Sequence, residues 1–188
     1  MPDIIGAIRD KWQRLGGEGF FGPALDIERP TFDGVGRAQS FGNGGIISWH
    51  PQIGAFAVWG LIGAKWVSLG REDFGYPITD ELPCPDRRGR FNHFRALQIA
   101  GHPEASIYWT PATGAHEVHG AIRAAWAERG WERGPVGYPT SDEFSTGRGN
   151  ERRSNFEHGF IDWNSHRGAQ VHGPVIIDQG TALNPVNE

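Results

Sequence analysis

The sequence predicts an α+β fold built from three tandem copies of one helix plus β-hairpin unit. A segment with helical spacing of apolar residues recurs around Trp12, Trp66 and Trp126. Each copy is followed by a glycine-proline element and then by segments that alternate like strands. Since one such unit is too small to bury its apolar face alone, we expect the copies to form a closed, propeller-like ring or a short curved stack.

The helix that opens each repeat is predicted from apolar spacing and from a glycine that follows it. In the first copy Ile8, Trp12 and Leu15 lie on one helical face, and Gly16 stands where a C-terminal cap belongs. The same spacing recurs in the other two copies. Because large aromatic side chains dominate small cores, we expect the helix tryptophans to lie in the interior.

A glycine-proline element follows each helix. It reads Gly22-Pro23 in the first copy, and Gly75-Tyr76-Pro77 and Gly137-Tyr138-Pro139 in the other two. An aspartate stands three residues after each proline, at Asp26, Asp80 and Asp142. This regular offset predicts turn or capping hydrogen bonds for the aspartates.

A β-hairpin is predicted to close each repeat. In the first copy, residues 46–49 and 54–59 alternate in polarity, with Pro51 and Gly54 in the turn between them. The strand tryptophans share a face with isoleucines, so we expect them to lie in the core. These tryptophans are Trp49, Trp109 and Trp163.

We expect the chain to form one domain, divided into three repeats by the recurring tryptophan helix, glycine-proline element and hairpin. The distance between helix tryptophans is longer from the second copy to the third, and the excess indicates an inserted loop in repeat 2. We place repeat 1 at about residues 5–60, repeat 2 at about 61–120 with an insertion at about 95–106, repeat 3 at about 121–173, and a C-terminal cap or tail at 174–188.

Composition excludes several classes of protein. With 38% hydrophobic and 21% charged residues the chain is expected to fold, and its net charge of −4 offers no basic field for nucleic acid. The single cysteine, Cys84, excludes an internal disulfide and argues against a cysteine-based metal cluster. The sequence shows no secretory signal and no apolar stretch long enough for membrane insertion.

Candidate binding residues come from positions that vary while the repeat geometry stays fixed. If the last valine of each hairpin points inward, its neighbours Trp59, His119 and His172 point to the opposite face. By the same alternation Tyr108 and Asp162 lie opposite the strand tryptophans, and His102 lies on the inserted loop. Aromatic, imidazole, phenol and carboxylate groups together are typical of sugar recognition, and we expect the preferred site between repeats 2 and 3.

Other chemistries find less support in the sequence. The pair His116 and His119 has a two-residue gap that places the rings on opposite faces of a strand, so we predict no metal site. No nucleophile elbow, phosphate loop or dinucleotide motif is present, and we predict neither catalysis nor a cofactor. Two alternatives to sugar binding stay open: a protein-interaction scaffold, and a hydrolase centred on His102 or Glu104 of the insertion.

The recurring tryptophan helix and glycine-proline element resemble the LGFP repeat over roughly residues 5–173. Such repeats are carried by envelope enzymes, including mycolic-acid transferases and peptidoglycan-degrading enzymes, where they are thought to anchor to the wall. The resemblance implies a glycan or cell-envelope polysaccharide as the partner. It also implies an extracellular or cell-envelope location.

Overall fold

Three antiparallel sheets, one in each repeat, form the framework of the protein. The computed structural model describes residues 2–174. It shows an α+β protein with four helices, which confirms the predicted class and the three repeats. The predicted C-terminal cap falls almost entirely on residues 175–188, which lie outside the described residues.

One main helix opens each repeat at the predicted position, and repeat 1 has a second, short helix that was not predicted. The four helices are α1 (Gly6–Arg14), α2 (Gly17–Phe21), α3 (Gly60–Ser68) and α4 (Gly120–Ala127). The short α2 belongs to repeat 1, and a 3-10 turn takes its place in the other two repeats, at Arg71–Asp73 and Trp131–Arg133. None of the four helices has the length and apolar composition that a bilayer crossing requires.

Each sheet contains more strands than the single hairpin that the sequence predicted. Sheet 1 contains β1 (Arg29–Pro30), β2 (Arg37–Ser40), β3 (Ile46–His50) and β4 (Gly54–Val58). Sheet 2 contains β5 (Tyr76–Pro77), β6 (Leu82–Pro83), β7 (Arg90–Arg95), β8 (Glu104–Thr110) and β9 (Gly114–His119). Sheet 3 contains β10 (Phe144–Ser145), β11 (Arg152–Phe156), β12 (Gly159–Asn164) and β13 (Gly168–His172). The predicted hairpins are the last two strands of each sheet.

In each repeat the helix tryptophan packs together with the glycine of the glycine-proline element and a phenylalanine. In repeat 2 the indole Nε1 of Trp66 donates a hydrogen bond to the carbonyl oxygen of Gly75 over 2.9 Å. The ring of Phe94 stacks against the indole with centroids 6.1 Å apart. The other helix tryptophans make the same bond, Trp12 to Gly22 and Trp126 to Gly137. Tryptophan, glycine and phenylalanine therefore recur together because each contacts the others.

The helix tryptophans do not all reach the interior equally. Trp66 and Trp126 are fully buried, as predicted. Trp12 is partly buried and packs against the edge of the repeat 1 core.

Each of the first two sheets packs against a helix on both faces. The core of repeat 2 joins Ile62 and Trp66 of α3 to Ile107 of its own sheet, and also to Val58 of sheet 1. The core of repeat 3 likewise joins α4 to residues of sheets 2 and 3, among them Tyr108. The face that the sequence assigned to solvent is therefore covered by the helix of the next repeat.

In repeats 2 and 3, the aspartate that follows the glycine-proline element serves the junction with the preceding repeat. Asp80 accepts hydrogen bonds from Lys11 Nζ at 2.6 Å and from the backbone nitrogen of Ala57 at 2.9 Å, both in repeat 1. Asp142 accepts from Lys65 Nζ at 2.8 Å and from the backbone of Glu117, both in repeat 2. For Asp80 and Asp142 the prediction of turn or capping hydrogen bonds is wrong, because their carboxylates accept from the preceding repeat. Asp26 instead accepts from the backbone nitrogen of Ser40 in its own repeat, at 2.8 Å.

The tyrosines of the glycine-proline elements also cross the junctions. The hydroxyl of Tyr76 donates to Asp33 Oδ2 over 2.8 Å, and that of Tyr138 donates to Asp86 Oδ1 over 2.5 Å. The hydrogen bonds that cross between repeats therefore join repeat 1 to repeat 2 and repeat 2 to repeat 3. Within residues 2–174 no sheet closes on itself, so a closed ring is not shown.

Candidate functional site

The same cleft occurs once in each repeat, at the N-terminus of the repeat's main helix. The three clefts have volumes of about 230, 250 and 230 Å³. Each is lined by the residue before the helix, the first three helical residues, a glutamate, an arginine and a strand tryptophan. Cleft 1 holds Ile5, Glu28, Arg37 and Trp49; cleft 2 holds Trp59, Glu81, Arg90 and Trp109; cleft 3 holds His119, Glu143, Arg152 and Trp163.

A glycine begins the helix at the floor of every cleft. Gly6, Gly60 and Gly120 have φ angles of +53°, +56° and +56°, a backbone conformation that residues with a Cβ adopt at a cost. No side chain caps any of these three N-termini. Because the first amides of a helix have no partner within it, hydrogen-bond donors lie at the cleft floor.

The strand tryptophans form the apolar walls of the clefts. All three are partly exposed, with one side of the ring packed on the core and the other open to the cleft. The prediction that they lie in the core is therefore right for one side of each ring only. Each tryptophan pairs across the sheet with the arginine of its cleft: Trp49 with Arg37, Trp109 with Arg90 and Trp163 with Arg152. Directly opposed residues share a face, so indole and guanidinium stand side by side.

A glutamate lies beside the arginine in each cleft. Glu81 forms an ion pair with Arg90, and Glu143 forms one with Arg152 at 2.9 Å. In cleft 1, Arg37 instead donates to the carbonyl oxygen of Gly36, at 2.7 Å. Burial raises the pKa of Glu81, and the ion pair with Arg90 opposes that rise. Clefts 2 and 3 thus hold an acceptor and a donor in fixed relative positions.

The residue before the helix differs from cleft to cleft. It is Ile5 in the first, Trp59 in the second and His119 in the third. The ring of Trp59 packs edge-on against Phe21 with centroids 5.7 Å apart, so its orientation is fixed by the repeat 1 core. The clefts therefore share one set of polar groups but differ in one wall.

His119 forms one wall of cleft 3, and two carboxylates lie close to its ring. Its Nδ1 lies 2.7 Å from Glu117 Oε2, and its Nε2 lies 3.4 Å from Glu143 Oε2. The hydrogen bond to Glu117 is the largest cause of a raised pKa for His119, and burial opposes it. The protonated ring is therefore favoured at a higher pH than in a free histidine.

Two of the six predicted binding residues line a cleft, and they lie in different ones. Trp59 belongs to cleft 2 and His119 to cleft 3. His172 stacks on Phe160 at the outer side of sheet 3, and His102 is exposed on the insertion with a φ of +46°. Neither of these histidines lines a cleft.

Tyr108 and Asp162 lie opposite the strand tryptophans, as predicted, but the expectation that they are exposed is wrong. Tyr108 is 3% exposed and packs against Trp126 of α4, which covers that face of sheet 2. Asp162 is 5% exposed, and its carboxylate lies 3.3 Å from both Arg153 and His172. Strand alternation places each residue on a face, but it does not show which element covers that face.

The insertion forms a further pocket next to cleft 3. The loop between β7 and β8 spans residues 96–103, and Ile99 lines an apolar pocket of about 260 Å³ together with Phe74. His119 and Gly120 line both this pocket and cleft 3. The inserted loop therefore extends one wall of cleft 3.

The glutamate and arginine of each cleft were missed by the sequence analysis. Their signal was present, because the glutamate precedes the arginine by nine residues in all three repeats. The pairs are Glu28 with Arg37, Glu81 with Arg90, and Glu143 with Arg152. No local motif marks this spacing, because the two side chains meet across a turn of the sheet.

A family model described as the LGFP repeat matches residues 22–73, 74–134 and 136–179. No curated protein matches the sequence. The first two matched units begin near a glycine-proline element and include the helix of the following repeat, so each unit contains a sheet and the helix that covers its outer face. The packing of α3 on sheet 1 and of α4 on sheet 2 agrees with these boundaries.

Proposed function

The chain belongs to the LGFP repeat family, and on that premise we propose that it is a non-catalytic, multivalent glycan-binding module. Its ligand on this proposal is an envelope polysaccharide, met at an extracellular or cell-envelope location. One observation carries the proposal: a cleft with a partly exposed tryptophan, an arginine and a glutamate occurs three times.

The groups in each cleft match the chemistry of a sugar ring. The apolar face of a pyranose stacks on an indole, as Trp109 offers in cleft 2. Sugar hydroxyls donate to a carboxylate and accept from a guanidinium, which Glu81 and Arg90 supply beside that indole. Free amides of the helix start add further donors.

Repetition of the cleft favours a polymeric ligand. Weak sites that are linked in one chain gain avidity when a ligand spans two of them. A polysaccharide presents the same sugar many times and can occupy successive clefts. A monosaccharide would occupy each cleft separately, with low affinity.

Two features of the clefts support a role in binding without catalysis. Each cleft is lined by one carboxylate, whereas glycoside hydrolysis uses two carboxyl groups on opposite sides of the bond. Glu104 of the insertion contacts Arg95 at 2.7 Å and Arg123 at 3.0 Å. These arginines lower the pKa of Glu104, whereas a general acid requires a raised pKa.

Calorimetric titration with envelope polysaccharide fragments tests the proposal. We expect binding by the unaltered chain and at least tenfold weaker binding after Trp109→Ala, because stacking in cleft 2 is lost. Phe144→Ala is the matched control, since Phe144 is 40% exposed and lies outside the clefts. Arg90→Gln, which keeps the aromatic packing, should weaken binding in the same direction. Absence of binding by the unaltered chain, or equal binding by all variants, would overturn the proposal.

A protein-interaction scaffold is the second candidate, and the insertion pocket favours it. Its walls are mostly apolar, and Ile99 at its rim is 50% exposed. On this reading, Ile99→Asp abolishes capture of a protein partner and leaves glycan binding by clefts 1 and 2 unchanged. A loss of glycan binding at all clefts in that variant would count against a separate protein site.

Of the two arrangements open to the repeats, we propose the short curved stack. The hydrogen bonds that cross junctions join consecutive repeats, which supports a linear order. A small-angle scattering profile that fits an elongated particle is the expected result. A profile that fits only a closed, disc-like particle would contradict it.

A further inference from the structure

A buried carboxylate at the junction of repeats 2 and 3 has an oxygen without a partner. Glu132 follows α4 in the 3-10 turn and is 6% exposed. Its Oε1 is buried and accepts no hydrogen bond within residues 2–174. A carboxylate taken from water without a compensating partner costs several kcal/mol, so such a group calls for an explanation.

The equivalent glutamate at the other junction is fully compensated. Glu72 stands at the same place in repeat 2, and its Oε1 lies 3.2 Å from Arg29 Nη2 and 3.0 Å from Ser48 Oγ. Strand pairing shows which residues replace these partners at the second junction. Leu82 stands where Arg29 does, and Tyr108 stands where Ser48 does. The junction of repeats 2 and 3 therefore keeps the acid and lacks the arginine.

A thiol and a second carboxylate lie near Glu132. One ligand atom from each of Cys84, Asp86 and Glu132 lies within 4.8 Å of the others. Cys84 is 2% exposed, and Asp86 is partly exposed. Tetrahedral coordination at distances of about 2.0–2.3 Å places ligand atoms roughly 3.5 Å apart, so a small inward movement would complete the triad.

We propose that Cys84, Asp86 and Glu132 bind a divalent cation of the zinc type at the junction of repeats 2 and 3. One thiolate with two carboxylates suits Zn²⁺ better than Mg²⁺ or Ca²⁺, which prefer all-oxygen sites. The composition argued against a cluster of cysteines, but a mixed site needs only one. The cation would do for Glu132 what Arg29 does for Glu72.

Two of the arginines near the triad, Arg88 and Arg90, are engaged elsewhere. Arg88 pairs with Glu157 at 2.6 Å and lies over the ring of Tyr138, and Arg90 pairs with Glu81. The hydroxyl of Tyr138 donates to Asp86 Oδ1 and so orients that carboxylate. Hydrogen bonds of this kind to a ligand are common around metal sites. The partly exposed Asp86 leaves a route for the ion and for a water as fourth ligand.

Cobalt and zinc titrations of the chelator-treated full chain test the site. We expect one equivalent of Co²⁺ to produce thiolate-to-metal charge-transfer absorption, and Zn²⁺ to abolish it by competition. Because an ion that binds the folded state stabilises it, Zn²⁺ should also raise the melting temperature in a concentration-dependent way.

Two variants take their residues from the other repeats. Cys84→Thr introduces the residue found at the equivalent positions Thr31 and Thr146, and should abolish the charge-transfer absorption and weaken Zn²⁺ binding at least tenfold. Leu82→Arg supplies the arginine of the first junction and should weaken Zn²⁺ binding in the same way. Circular dichroism checks that both variants fold.

A control variant shows whether Zn²⁺ binds at the triad or at other side chains on the surface. His102→Ala removes an exposed imidazole on the insertion and should leave Zn²⁺ affinity unchanged. The proposal is overturned if the unaltered chain shows no thiolate absorption with Co²⁺. It is also overturned if Cys84→Thr binds Zn²⁺ as tightly as the unaltered chain does.

Discussion

Gly137 shows at the scale of one residue why the glycine-proline element tolerates only glycine. Its φ is +77°, and a Cβ there would lie 2.6 Å from Glu157 Oε2 and 3.1 Å from Glu157 Cβ. Both the backbone conformation and the close approach of the sheet therefore exclude a side chain. The carbonyl of the same residue accepts the Trp126 indole bond, so any shift would also disturb the core.

A pair of alanine substitutions separates these two effects. Gly147 has the same φ of +77°, but no atom lies within 4 Å of its Cβ position. We expect Gly147→Ala to cost about 1 kcal/mol, the price of the left-handed backbone. Gly137→Ala should cost about 2 kcal/mol or more in addition, because overpacking is added. Chemical denaturation measures the free energy of unfolding of both variants. Equal decreases would show that the close contact at Gly137 does not contribute to the cost.

His93 makes stability depend on pH at the scale of a single side chain. Its ring is largely buried in sheet 2, with Nδ1 2.7 Å from Ser106 Oγ. Burial and the nearby charge of Arg123 lower its pKa to about 4, and Glu104 opposes the shift. The rings of Phe91, Tyr108 and Trp131 also lie against it.

Since the unfolded chain binds this proton near pH 6.5 and the folded chain only near pH 4, stability falls as pH drops between those values. The loss attributable to His93 should reach roughly 1–3 kcal/mol. His93→Gln should flatten that part of the curve of unfolding free energy against pH. If the variant and the unaltered chain lose stability in parallel between pH 6.5 and 4, the prediction fails.

At the scale of elements, the sequence predicted what depends on local pattern. In the main helices and the closing hairpins, apolar residues recur over enough positions to predict the element from the sequence. The opening strands of each sheet could not be predicted, because β1, β6 and β10 contain two residues each and carry no period. Their pairing depends on the sheet that they join.

The candidate site was predicted only in part for the same physical reason. Strand alternation correctly placed Tyr108 opposite the strand tryptophan, but the helix of the next repeat covers the face on which Tyr108 lies. Grouping His119 with Tyr108 was wrong, because the register of β8 and β9 pairs His119 with Ala105, on the face of Trp109. Trp59 and His119 were found because they vary among otherwise equivalent positions. The glutamates and arginines of the clefts recur at a fixed offset, yet only the folded sheet brings them beside a helix start.

At the scale of the whole molecule, the residues that form the two described junctions are not all repeated in repeat 3. Lys11 and Lys65 reach the aspartate of the following repeat, whereas Ala125 stands at the same place in repeat 3. Gly36 leaves room for the Tyr76 hydroxyl, whereas Glu151 occupies the equivalent position in repeat 3 and pairs with Arg167. At both positions repeat 3 therefore differs from repeats 1 and 2.

A double-mutant cycle on Lys11 and Asp80 measures the coupling across the first junction. Their side chains are 10% and 22% exposed and 2.6 Å apart, so the substitutions Lys11→Met and Asp80→Asn should show a coupling of about 1–2 kcal/mol. The exposed pair Arg9 and Asp10, 3.8 Å apart, is the control and should couple weakly. Coupling no greater than in the control would mean that this ion pair does not hold the repeats together.

The proposed function requires that the three equivalent clefts bind glycan. A crystal structure of the chain soaked with an oligosaccharide from an envelope polysaccharide tests it most directly. We expect sugar rings stacked on Trp109 and Trp163, with hydroxyls hydrogen-bonded to the glutamate and arginine of the same cleft. Sugar bound only outside the three clefts, or no sugar bound at saturating concentration, would contradict it.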